Sequence, residues 1–182
     1  MKARLLLLSV FVTGMWGLFA QNANINPTPQ SVSPISEYIA KPKAINIIGK
    51  PEFKDDALRI KTLGHLSEQN SDNKKTTIYI GEKSDNAVKK YKKYIPNKAE
   101  GYYLSINDHE IIVAGFDKRG TYYGLQTLNQ LLDNETLPIV EIIDYPDVKA
   151  RGVVEGFYGT PWTFEDRVSQ LKFYGDNKFV GY

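Results

Sequence analysis

Few residues of this chain have the types and spacing that acid–base or nucleophilic chemistry requires. There is no Cys, which excludes thiolate catalysis, disulfides and thiolate metal sites. Two adjacent acidic pairs, Asp55-Asp56 and Glu165-Asp166, and the single Glu155 could supply carboxylates for proton transfer. Both pairs fall at predicted helix starts, where a carboxylate caps free N–H groups and faces the positive end of the helix dipole. That role accounts for them without catalysis. Glu155 stands at a strand end beside a glycine-flanked loop, and a structural hydrogen-bonding role is expected for it. Lys89, Lys90, Lys92 and Lys93 could hold phosphate. They are read instead as a solvated helix face, because no aromatic or glycine-rich loop accompanies them. His109 lies between two strand patterns and is most simply a turn residue.

The elements that would position these groups follow from hydrophobic spacing. Asn22 to Pro42 carries four prolines among polar residues and predicts extended chain leading into a first strand over Ala44–Ile48. Ala57, Ile60, Leu63 and Leu66 recur at helical spacing after Asp55 as N-cap. Thr77–Ile80 predicts a strand with Ile78 and Ile80 on one face, and Asn86–Tyr94 a second helix stopped at Pro96. Tyr102, Leu104 and Ile106 alternate and Ile111–Ala114 returns, a hairpin with Asp108 and His109 at the turn, both tolerant of positive φ. Asp117 caps a helix through Leu132, with Tyr122, Leu125, Leu128 and Leu132 as its apolar stripe. Gly120 and Gly124 each cost that helix about 1 kcal/mol relative to Ala, and close approach to a sheet is the expected return. Ile139–Ile143 completes a small α+β domain over residues 24–146, a sheet covered on one face by helices.

At the N-terminus, Lys2 and Arg4 precede an apolar run from Leu5 to Phe19, and Ala20 offers a cleavage point: a secretory signal peptide leaving Gln21 as the new start. The run of about 15 residues falls short of the roughly 20 that a spanning helix needs. Removing those two of the 23 basic residues leaves 21 against 21 acidic ones, a neutral mature chain. Such a chain has none of the net basic surplus of a nucleic-acid binder. The expected destination is periplasmic or extracellular, with no membrane contact after signal removal.

After the joint Tyr145-Pro146-Asp147 the pattern changes. Gly152-Val153-Val154 reads as a short buried strand, followed by a loop over residues 155–162. A helix then begins at Thr163, with Asp166 in the capping-box position and Val168, Leu171 and Tyr174 as its apolar face. Phe179-Val180 opens another strand. This is the first unit of a parallel α/β array, in which ligands gather at strand carboxyl ends. A complete barrel needs about 250 residues, and 34 remain from Lys149 to Tyr182. The second domain, 149–182, is expected to be a truncated barrel start.

The run Arg151-Gly-Val-Val-Glu-Gly-Phe-Tyr-Gly-Thr-Pro-Trp162, followed by Arg167 and Gln170-Leu-Lys-Phe-Tyr-Gly175, resembles the start of the catalytic barrel of glycoside hydrolase family 84, β-N-acetylglucosaminidases that include bacterial relatives of O-GlcNAcase. The helix beginning Asp117-Lys-Arg-Gly-Thr-Tyr-Tyr-Gly resembles the non-catalytic domain before such barrels, and a similar domain precedes family 20 hexosaminidases. The resemblance implies a hexosaminidase-type N-terminal α+β domain followed by the opening of a (β/α)8 barrel. It further implies retaining, substrate-assisted hydrolysis of terminal β-linked N-acetylglucosamine from glycans or glycoproteins. No metal or organic cofactor is implied. The pair of adjacent catalytic aspartates belongs to a later barrel strand, so no catalytic residue is expected within residues 1–182 and the chain alone should be inactive. Two substrate-binding positions carry over by resemblance: Gly156, whose backbone would contact the sugar, and Tyr158, an aromatic of the sugar pocket. After Asn177-Lys178 the sequence Phe179-Val-Gly-Tyr182 departs from the family pattern. A competing expectation is a free-standing exported carbohydrate-binding or interaction module built on residues 24–146.

Overall fold

The computed structural model describes residues 24–68, 75–154, 156 and 158–180. The expected signal peptide, Glu155, Phe157 and the last two residues lie outside them. The elements in chain order are β1 (Ser31–Val32), β2 (Tyr38–Ala40), β3 (Ile45–Ile48), α1 (Pro51–Arg59), α2 (Lys61–Glu68), β4 (Thr76–Glu82), a 3-10 helix over Asn86–Tyr91, β5 (Tyr102–Ile106), β6 (Glu110–Gly115), α3 (Lys118–Leu132), β7 (Thr136–Pro138), β8 (Val140–Asp144) and α4 (Phe164–Asp176). Six strands form one mixed sheet in the order β1-β8-β5-β6-β4-β3, and β2 pairs with β7 in a small second sheet. β3, β4 and β6 run parallel, while β5 is antiparallel to both β6 and β8.

Strand alternation sorts the side chains into two cores. Tyr102, Leu104, Ile106, Ile111, Val113, Ile78 and Ile80 face α1, α2 and α3, and with Phe53, Leu63, Leu125 and Leu128 make the main core. Each fully buried aliphatic side chain here contributes roughly 1.5–3 kcal/mol of transfer free energy. The opposite sheet face carries Tyr103, Ile112 and Ala114, covered by Val88 and Ile95 from the 3-10 segment.

Several expectations hold residue by residue. The hairpin over 102–115 is formed, with Tyr102 opposite Gly115 and Ile106 opposite Ile111. Asp117 caps α3, accepting from Gly120 N at 2.8 Å. Leu125, Leu128 and Leu132 are buried. Both glycines of α3 lie where a side chain would collide: a Cβ on Gly120 would fall 2.1 Å from Gly101 O, and one on Gly124 2.9 Å from Val113 Cγ1.

Other expectations are corrected. The stretch read as extended lead-in contains β1 and β2, because their partners β8 and β7 arrive about a hundred residues later. The helix read from Asp55 starts at Pro51, with Lys50 as N-cap, so Asp55 and Asp56 are helix-interior residues and Asp56 pairs with Arg59 at 3.6 Å. It also breaks at Ile60, whose ψ of 112° is extended. At the hairpin tip, the expected positive φ is not used: Asn107 Oδ1 accepts from the N–H groups of His109 and Glu110, both at 2.9 Å, and this side-chain turn closes the loop. The helix expected over 86–94 is present as a 3-10 helix over Asn86–Tyr91 continued by a turn, with Lys92 N bonded to Lys89 O and Tyr94 N to Tyr91 O. The sequence Lys89-Lys90-Tyr91-Lys92-Lys93-Tyr94 repeats every three residues, the period of that helix.

Candidate functional site

Residues 145–180 build the candidate site on one end of the sheet. Arg151 anchors it. Its Nη1 donates to Val148 O at 2.6 Å, Nε to Lys178 O at 3.1 Å, and Nη2 to Glu100 Oε2 at 2.6 Å. The guanidinium also lies 5.7 Å from the Tyr123 ring centroid. Glu100 in turn accepts from Arg119 Nη1 at 3.1 Å, and its own N–H is held by Asp117 Oδ2 at 2.9 Å. The planar five-donor fork of Arg suits such a junction, since it satisfies three acceptors at fixed angles.

Lys178 is the second anchor. Its ammonium is 5% exposed and reaches Asp144 Oδ2 at 3.0 Å and Tyr102 OH at 2.9 Å, while Tyr102 OH also meets Thr127 Oγ1 at 2.6 Å. Burial lowers the Lys178 pKa, with the Asp144 carboxylate opposing the shift. Burial likewise raises the Tyr102 phenol well above its ordinary value, assisted by Asp144. Lys178 and Glu100 are also the two described non-glycine residues with positive φ, each at 63°. Such a backbone costs roughly 1–2 kcal/mol per residue, and both instances fall within this network.

Beyond Arg151 the chain runs outward. Gly152 makes a single bridge, Val154 is 95% exposed, and Phe179-Val180 is tied back by Phe179 N to Tyr174 O at 2.9 Å and Val180 N to Arg151 O at 2.8 Å. Among the described residues, Gly152-Val153-Val154 makes no strand beyond that bridge and Phe179-Val180 is irregular, since a ladder this short has few partners to hold it. Gly156 and Tyr158 come together: a Cβ on Gly156 would lie 3.0 Å from Tyr158 Cδ2, so the ring lies against the bare glycine backbone. The rest of the Tyr158 ring is open, at 97% exposure. Gly159, at φ 99°, makes the turn that only glycine enters without strain. Thr163 and Asp166 then form the expected capping box of α4, with Asp166 N to Thr163 Oγ1 at 3.1 Å. Of the apolar face expected of α4, Tyr174 is half-buried against Phe179 while Val168 and Leu171 are exposed, as are Trp162, Phe164 and Phe173.

This arrangement can hold a ring against an aromatic and a glycine backbone. Asp166 is committed to its cap, and the described residues contain no group of three or more His, Asp or Glu placed to hold a metal. No described helix is long and apolar enough to cross a membrane. The anchors Glu100, Asp144 and Lys178 were not legible as a site in the sequence, for their partners lie 34 to 76 residues apart. Arg151, opening the recognisable motif, was the one available signal.

Residues 22–145 match the model of glycosyl hydrolase family 20, domain 2, and the chain belongs to that family. Residues 151–182 match the model named beta-N-acetylglucosaminidase. Among solved structures, CpGH84B is 30% identical over 87% of this chain with a TM-score of 0.69, and CpGH84D 25% identical over 87% with a TM-score of 0.71. This chain covers 29% and 30% of those two proteins. The beta-N-acetylhexosaminidase from Bacteroides fragilis NCTC 9343, at 23% identity, 70% of this chain and 25% of that one, with a TM-score of 0.50, shares the fold. The chain therefore carries a hexosaminidase-type N-terminal domain joined to a β-N-acetylglucosaminidase-like segment.

Proposed function

We propose that this chain is the N-terminal part of an exported β-N-acetylglucosaminidase of the family 84 type, acting on terminal β-linked N-acetylglucosamine by substrate-assisted, retaining hydrolysis. The observation that carries the proposal is the Arg151–Trp162 motif, standing where residues 151–182 match the beta-N-acetylglucosaminidase model. Two neighbours of that family at 25–30% identity support the family 84 assignment. In this reading Gly156 and Tyr158 form one wall of the sugar pocket. The bare α-carbon lets the sugar approach the backbone, and the exposed ring supplies an apolar face for a pyranose. The uncovered residues of α4 would pack against later barrel elements. The adjacent aspartates that polarise the acetamide and move the proton lie beyond residue 182, so the chain by itself turns over no substrate.

The test is to read the gene through and past codon 182 in every frame, and to assay the purified chain on an aryl β-N-acetylglucosaminide. The expected outcome is a continuing barrel with adjacent aspartates, and no hydrolysis by the 182-residue chain. A clean stop followed by unrelated sequence would overturn the proposal in favour of a free-standing binding module. Enzyme-like hydrolysis by the chain would overturn the placement of the catalytic pair.

A further inference from the structure

The lysines set aside in the sequence as a solvated face have a construction that a solvated face does not need. Between Lys83 and Lys98 lie Lys89, Lys90, Lys92 and Lys93, six lysines in all against the single acid Asp85. Asp85 is itself buried and committed to Lys50 at 2.6 Å. The three-residue period of the 3-10 helix and the turn after it buries Val88, sets Tyr91 and the part-exposed Tyr94 against Tyr103, and leaves Lys89 with Lys92, and Lys90 with Lys93, as two outward ridges. Aromatic rings accompany them after all. Tyr91 and Tyr94 stack on Tyr103 of β5, with centroids 6.5 and 5.1 Å apart. Lys90 Nζ lies 4.9 Å from the Tyr91 centroid and 5.3 Å from that of Tyr79, and Lys93 Nζ 4.7 Å from that of Tyr94. Lys83 sits over Phe116 at 5.0 Å and Lys98 over Tyr145 at 5.7 Å. Rings so placed hold ammonium groups in position without neutralising them. No carboxylate among the described residues pairs with Lys89, Lys92, Lys93 or Lys98; Glu110 lies 3.6 Å from Lys90, and Glu141 on β8 faces Tyr103 on the same side of the sheet.

We propose that this lysine–tyrosine face, on the side of the sheet opposite α1–α3, binds a polyanionic polysaccharide carrying sulfate or carboxylate groups. Charge complementarity selects a polyanion, and an open groove lined by Ile48, Tyr79, Asn86, Ala87, Lys89 and Lys90 offers an extended track for one. Single-stranded nucleic acid needs aromatic faces open to stack its bases. Here Tyr91 and Tyr94 already have Tyr103 and a lysine against them. A membrane surface would want several large aliphatic side chains beside the charge, and here Val88 and Ile95 are buried, leaving Ile48 alone of such side chains exposed in the groove. The choice of a glycan among polyanions rests on the proposed glycosidase function. The face would hold the substrate's charged chain at a distance from the Gly156–Tyr158 loop.

The experiment is binding of the 182-residue chain to a fluorescent heparin oligosaccharide and to polygalacturonate across a salt series, beside single-stranded DNA of equal charge and phosphatidylserine vesicles. The expected result is salt-sensitive binding to an anionic glycan, tighter than to DNA or vesicles. Replacing Lys89, Lys92 and Lys93 together by Gln should weaken it about tenfold or more, while the matching triple Arg variant stays within about twofold of the parent. All three are exposed, and an unchanged urea midpoint verifies the fold of each variant. Undiminished binding by the Gln variant, tighter binding to DNA or vesicles, or no binding to either glycan at low salt would overturn the proposal. Failure of the glycosidase reading would appear in the gene and hydrolysis tests, and would leave this binding result as it stands.

Discussion

Gly120→Ala in α3 separates local from tertiary control of this fold by the sign of its effect. Helix propensity alone predicts stabilisation of about 1 kcal/mol, since Ala is the better helix former. The structure predicts the reverse. The added Cβ would lie 2.1 Å from Gly101 O, where a carbon–oxygen contact needs about 3.3 Å. The first turn of α3 must therefore retreat by roughly 1 Å. That carbonyl already accepts from Phe116 N at 2.7 Å, and Asp117 ties the same turn to Glu100 N at 2.9 Å. Retreat strains both bonds, each worth about 1 kcal/mol. Overpacking adds roughly 1–3 kcal/mol, so the expected net loss is about 2–4 kcal/mol. The assay is urea unfolding followed by circular dichroism, in which the midpoint should fall with the slope unchanged. A variant as stable as the parent, or more so, would refute the close-packing account of this glycine.

Two further outcomes follow from buried groups. Burial pushes the Tyr103 phenol up to about 12, and Tyr102, Tyr122 and Tyr123 are raised as well, burial again leading. The folded state then keeps protons that the unfolded chain releases near pH 10, so stability should drop between about pH 10 and 12. The drop is at most about 1.4 kcal/mol per pH unit for each group. Lys178, lowered by burial, works in the opposite direction up to its unfolded value of 10.5, but it is one group against these four and Tyr91, which burial also raises. Urea midpoints at pH 9 and 11 check the direction, and Tyr103→Phe should reduce the drop. Lys178→Met removes the ammonium that joins residue 178 to Asp144 and Tyr102, and amides of α4 should exchange about 10–100-fold faster while those of β4, β5 and β6 are unchanged. Equal protection of α4 in parent and variant would deny Lys178 its anchoring role.

Local signals were read correctly where neighbours in the chain decide the structure. The alternation of Tyr102, Leu104 and Ile106, the Asp117 cap and the Thr163–Asp166 box each need only a few consecutive residues, and each is found in place. Errors arose where a start signal was passed over or the partner was remote. Asn86 to Tyr94 was read simply as helical, and the three-residue repeat of Lys89 to Tyr94 specifies the 3-10 form. Pro51 with Glu52 behind it marked the true start of α1, a signal passed over for the acidic pair at 55–56. β1 and β2 depend on β8 and β7, and no local pattern reveals them. The recognisable motif located Gly156 and Tyr158 on one loop, but its anchoring by Arg151 and Lys178 depended on Glu100 and Asp144, which look in sequence like ordinary surface acids.

The pairing of β1 with β8 has a mechanical consequence. Ser31 stands opposite Ile143 in an antiparallel pair, and Gln30 N reaches Asp144 Oδ1 at 3.3 Å while its side chain donates to Tyr145 O at 3.2 Å. The polypeptide thus enters and leaves the domain at one corner. A pull applied between Gln30 and Tyr145 would open this short antiparallel neck one hydrogen bond at a time, like a zip. Outside the neck, Ile25 in the main core and Asn26 on Gln130 on one side, and Arg151 on Glu100 on the other, would take the load before it reached β1 and β8.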